Sequence, residues 1–129
     1  MNDSEPIAAF LDYLRETSRQ CKQAAADERL ADEQTQDILH RLELYADDYH
    51  ETARLAKLLR QVRQSRRKAK ESFERLNPVS TWARENQAVV KRLEQLLGTV
   101  RKAEERQQKR LWMPRTEVLD KQNNSNSER

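Results

Sequence analysis

His40 and His50 each follow an aspartate by three residues, Asp37 and Asp47. On a helix that spacing puts imidazole and carboxylate on one face, as metal sites in helical bundles require. Such sites also draw glutamates from neighbouring helices, and no matching set is visible, so chance on an acidic helix is the better account. The acidic residues Asp27, Glu28, Asp32, Glu33 and Asp37 are of a type that holds magnesium for nucleotide hydrolysis. Their spacing does not match the paired glutamate motifs of helical nucleotide pyrophosphatases, which leaves a solvated connection or an acidic interaction face. Cys21 is the only cysteine, which excludes an internal disulfide and a multi-cysteine zinc site, and its place on an apolar stripe reads as a small buried side chain. No phosphate loop, nucleophile elbow or HExxH sequence is present, so neither catalysis nor a metal or cofactor is expected.

The remaining chemistry is charge. The net charge of +3 conceals an asymmetry: residues 1–53 hold 5 Lys or Arg against 13 Asp or Glu, and residues 54–115 hold 18 against 6. Arg60, Arg63, Arg67 and Lys70 recur at intervals of 3, 4 and 3 residues, a cationic stripe about 15 Å long on a helix. That stripe can follow a phosphate backbone, or it can be a solvated face balanced by the acidic helices of the same chain. It lacks the interleaved aromatics that stack single-stranded bases, and no helix-turn-helix spacing with a glycine turn supports sequence-specific reading of DNA.

These residues need elements to position them, and the composition supplies helices. Charged residues make up 36% of the 129 and aromatic residues 5%, with one Gly and three Pro, which suits elongated helices burying narrow stripes better than a thick core. Nothing approaches the roughly 20 apolar residues of a membrane span, and the N-terminus lacks a leader pattern, so a cytoplasmic protein is expected. Ser4 is placed to cap a helix from about residue 5 to 26, and Asp27 to Gln36 reads as a connection. A short second helix carries Ile38, Leu39, Leu42 and Tyr45, and Asp48 followed by Glu51 resembles a capping box that starts another.

The strongest periodicity comes next. Leu55, Leu59, Val62, Arg66, Ala69, Phe73 and Leu76 are spaced 4, 3, 4, 3, 4 and 3, and Trp82, Asn86, Val89, Leu93, Leu96, Val100 and Ala103 repeat the same intervals. Asn77-Pro78 lies between and stops a helix by local rules. The spacing therefore predicts a long antiparallel hairpin, with facing residue numbers of near-constant sum: Leu76 against Trp82, Val62 near Leu96, Leu59 near Val100. Its core would be Leu55, Leu59, Val62, Phe73, Leu76, Trp82, Val89, Leu93, Leu96 and Val100, with Arg66 laying its stem on Leu93. Val90 and Leu97 widen the second apolar face, so a third helix should cover them, from this chain's N-terminus or from a second copy in a homodimer. The expected fold class is all-α, a coiled-coil-like hairpin with one or two N-terminal helices packed on it. Its parts are an acidic helix and connection at 1–36, a short helix plus basic hairpin at 37–115, and a disordered tail at 116–129.

Leu39-His40-Arg41-Leu42-Glu43-Leu44, Leu58-Leu59-Arg60-Gln61-Val62-Arg63 and Arg66-Arg67-Lys68-Ala69-Lys70 resemble small helical-hairpin proteins encoded by phages and prophages of Gram-positive bacteria. The resemblance spans about residues 38–100 and carries no functional residues with it. It implies a non-enzymatic, phage-encoded binding protein acting in the host cytoplasm. Two partners follow as expectations. One is a host nucleoprotein such as a CRISPR nuclease, inhibited in an anti-defence role. The other is the backbone of double-stranded nucleic acid, held without sequence preference during replication or packaging. An oligomeric scaffold is the plainer third.

Overall fold

A computed structural model describes residues 2–45 and 47–110 and contains three helices: α1 (Ser4–Tyr45), α2 (Tyr49–Glu85) and α3 (Gln87–Lys109). The expectation of a disordered tail at 116–129 lies outside the described residues.

α1 is unbroken for 42 residues, about 63 Å, through the stretch 27–36 expected to be a connection and through the expected boundary at 36–37. Its acidic and amide residues are adequate helix formers that point outward, while Ala31, Thr35 and Ile38 continue the inward row of Leu11, Leu14, Thr17, Cys21 and Ala24. Thr35 satisfies its buried hydroxyl by donating to the Ala31 carbonyl at 2.8 Å. Pro6 sits in the first turn, where a missing N–H costs nothing. Cys21 is buried, as its stripe position predicts.

α2 begins where the capping signal places it. Asp48 is extended (φ −129°, ψ 166°) and its carboxylate accepts the Glu51 backbone N–H at 2.7 Å. The Glu51 side chain turns to Arg54 and Arg41 instead of closing the reciprocal half of the box.

The chain does form a long antiparallel helical hairpin, but its turn lies between Tyr45 and Tyr49, and its arms are α1 and α2. The predicted turn at Asn77-Pro78 is corrected: Pro78 lies inside α2, which continues to Glu85. Leu76 and Trp82 therefore share a helix, and α2 and α3 meet only around their junction. Leu55, Leu59 and Val62 form the core with Ala31, Ile38 and Leu42 of α1, not with α3. Phe73, Leu76, Leu93 and Val100 are half-buried, and Trp82, Val89 and Leu96 are exposed at 42, 41 and 47%. The α3 residues turned inward are Val90, Leu93, Leu97 and Val100, so α1 is the third helix that the face of Val90 and Leu97 called for.

The helical run breaks at Asn86 (φ −120°, ψ 38°), whose backbone N–H and side-chain Nδ2 both donate to the Trp82 carbonyl at 2.9 Å. A difference in path length explains why it bends. α1 spans 24 residues from Glu28, which pairs with Arg66, to Ser4, which bonds Glu104, and the opposite strand of the hairpin spans 38 residues between the same contacts. At 1.5 Å per residue these are about 36 and 57 Å, so α2 and α3 cannot both lie straight against α1 and must bow away around Asn86.

Candidate nucleic-acid interface

The inward row of α2 fixes where its cations go. Leu59, Val62, Arg66 and Ala69 face α1, and the residue after each is Arg60, Arg63, Arg67 and Lys70, rotated by one helical step onto the flank. All four are exposed and line one open trough on α2, with Arg66 at its inner wall and Glu71 and Glu74 at its far end. None of the four is in an ion pair among the described residues. α2 carries ten Lys and Arg, and of these only Arg54 and Arg66 are paired among the described residues. The acidic helix therefore does not neutralise the stripe by direct contact.

Arg66 takes the acids instead. Its Nε donates to Asp32 Oδ1 at 2.6 Å and its Nη2 lies 3.3 Å from Glu28 Oε1. This corrects the expectation that its stem lies on Leu93. The partly covered guanidinium, 28% exposed, sets the register of α2 against α1 more firmly than an open surface pair could. The predicted acidic face is divided as a result. Glu28 and Asp32 are bound to Arg66; Asp27 accepts from Gln23 at 2.8 Å and lines a groove with Ser65 and Ser72; Glu33 and Asp37 point to solvent.

Three contacts escaped the sequence reading because they join α1 to segments it had paired elsewhere. Arg41 reaches Glu51 across the turn at 3.6 Å, Arg15 reaches Glu94 at 3.3 Å, and Glu104 accepts both the Ser4 backbone N–H (2.9 Å) and hydroxyl (2.7 Å). Ser4 was expected to cap α1 with its own side chain; the free N–H of its first turn is met instead by a carboxylate from α3. The signal that could have found them is the 3–4 spacing of Glu28, Ala31, Thr35, Ile38 and Leu42, which carries the α1 stripe across the supposed connection.

Two carboxylates are held low by surface arginines. Hydrogen bonds from Arg19, and secondarily from Gln20, bring Glu16 down to about 2, and Arg54, with Arg41 behind it, lowers Glu51. His50 meets Tyr49 edge-on with ring centroids 6.0 Å apart. Among the described residues no three His, Cys, Asp or Glu side chains gather closely enough to hold a metal ion, and no helix is long and apolar enough to cross a membrane.

No protein-family model, no curated protein and no solved structure matches this chain.

Proposed function

We propose that this protein binds the backbone of double-stranded nucleic acid along α2, without sequence preference and without catalysing a reaction, in the accessory phage role that the resemblance implies. The observation that carries this reading is the trough of Arg60, Arg63, Arg67 and Lys70, four cations at helical spacing that stand outside any ion pair among the described residues. A rigid helix holds them about 15 Å end to end, the scale of several successive phosphates. Nothing in the trough offers stacking or base-edge recognition, so affinity should come from counterion release.

Four phosphate contacts predict a slope of about −3.6 in log K against log salt, so binding tight at low salt should collapse at moderate salt. Fluorescence anisotropy with unrelated duplexes across a potassium chloride series measures this. Charge reversal of Arg60, Arg63 and Arg67 together should abolish binding while leaving the helical circular dichroism unchanged. Absence of binding at low salt, or affinity indifferent to salt, would sink the proposal.

A second reading, inhibition of a host nucleoprotein such as a CRISPR nuclease, draws on Glu33 and Asp37, which leave α1 exposed and outside any ion pair among the described residues. Co-purification of a host nuclease, lost when these two residues and Asp27 become Lys, would favour it over the first.

A further inference from the structure

One side of the α1·α3 pair carries an apolar row with no partner among the described residues. The inward residues there are Leu11 and Leu14 of α1 and Val90, Leu93 and Leu97 of α3. Arg15 follows Leu14, Glu94 follows Leu93, and their ion pair at 3.3 Å shows that residues one step after the inward positions share a side. In an antiparallel pair, residues one step before the inward positions then share the opposite side. These are Phe10, Tyr13 and Glu16 on α1 and Val89, Arg92 and Leu96 on α3. Phe10, Tyr13, Val89 and Leu96 are exposed at 44, 54, 41 and 47%. Scattered exposed apolar residues are ordinary, but a row spanning two neighbouring helices marks an interaction surface. Val89 and Leu96 are also members of a heptad series whose period calls for a partner helix, and no helix among the described residues supplies one.

We propose that the partner is a second copy of the chain, packed on this side to make a four-helix bundle. Charge selects both the occupant and its orientation. α1 holds 5 basic and 9 acidic residues, and α3 holds 6 basic and 3 acidic. A two-fold axis parallel to the helices lays α1 of each copy on α3 of the other, so opposite charges meet and every neighbouring pair of helices is antiparallel. An axis across the helices would lay α1 on α1 and α3 on α3, like on like. Between the Ser4–Glu104 and Arg15–Glu94 contacts the register puts Glu16 level with Arg92, and rotation about the parallel axis keeps that height. Glu16 of each copy then meets Arg92 of the other at the rim of the apolar row. This surface is separate from the α2 trough, and the proposal does not depend on nucleic-acid binding.

Sedimentation equilibrium of the full chain, without nucleic acid, tests it. The wild type should be a dimer at micromolar concentration, and Phe10→Asp with Leu96→Asp should give a monomer of unchanged helicity. Glu16→Arg alone and Arg92→Glu alone should each weaken the dimer by about tenfold or more, each creating two like-charged contacts. Mixing the two single variants should restore it, because both contacts in the mixed dimer join opposite charges. A monomeric wild type, or a dimer indifferent to the Asp pair, would overturn the second copy as occupant. Loss of helicity in the Asp pair would overturn the premise that these residues lie on the surface of the folded monomer, and failure of mixing to restore the dimer would overturn the parallel axis.

Discussion

Glu104 shows how one side chain can close the far end of an elongated molecule. It accepts two hydrogen bonds from Ser4, and so ties the start of α1 to the last turns of α3 while relieving an N–H that α1 cannot satisfy itself. Glu104→Ala should therefore cost about 1 kcal/mol and lower the melting temperature by several degrees, whereas Glu105→Ala, on an exposed neighbour, should be close to neutral. Thermal melts followed at 222 nm compare the two, and equal effects would mean that the Ser4 contact is not formed in solution. The surface carboxylates give a second residue-level test. A folded pKa below the unfolded value of about 4.3 contributes stability that is present above that pH and lost as pH falls toward the folded value. For Glu16 the folded value is about 2, so the loss falls between about pH 4 and 2. Glu51 acts in the same direction. Glu16→Gln should flatten the acid limb of a stability–pH profile measured by thermal melts; an unchanged limb would show that Arg19 does not hold Glu16 in solution.

At the scale of elements, α2 is a contest between a local rule and a tertiary one. Proline inside a helix removes a backbone hydrogen bond and clashes with the preceding turn, at a cost of about 3 kcal/mol. Here the helix passes through Pro78, and the break falls eight residues later at Asn86, where the two arms of the hairpin fall out of step. Pro78→Ala should therefore stabilise the protein, by up to about 3 kcal/mol, because it restores an N–H within an existing helix. Chemical denaturation of the variant measures the gain. A loss of stability would indicate that Asn77-Pro78 is a turn after all. The α1 stripe shows the converse. Between Asp27 and Gln36 no glycine or proline interrupts the chain, and polar composition alone does not end a helix when small residues such as Ala31 and Thr35 keep the inward row intact.

For the whole molecule, the decisive comparison is between Val62 and Leu96. Both sit in heptad series, but Val62 is buried against α1 and Leu96 is on the surface. Val62→Asp should unfold the hairpin, since it places an unpaired carboxylate in the core, while Leu96→Asp should leave the fold of the monomer intact. Equal destabilisation by the two would restore the alternative in which α2 and α3 face each other.

The choice of arms was beyond the sequence for a definite reason. Two segments that share alternating intervals of 4 and 3 produce near-constant sums of facing numbers whether or not they touch, so the match between residues 55–76 and 82–103 had no power to discriminate. A heptad stripe declares that a helix needs a partner and which face it offers. Which partner it finds is decided by competition among all the stripes, and here α1, whose period runs unbroken for 42 residues, covers both other helices. What the sequence determined by itself is what local chemistry controls: an all-helical chain, the inward face of α2, the start at Asp48, a buried Cys21 and the outward cations Arg60, Arg63, Arg67 and Lys70. Only the tertiary structure decided that Arg66 would consume Glu28 and Asp32, that the four stripe cations would stand outside any ion pair among the described residues, and that Trp82, Val89 and Leu96 would face outward. Each of these depends on which helix lies alongside, and that is a property of the whole packing, not of any one segment.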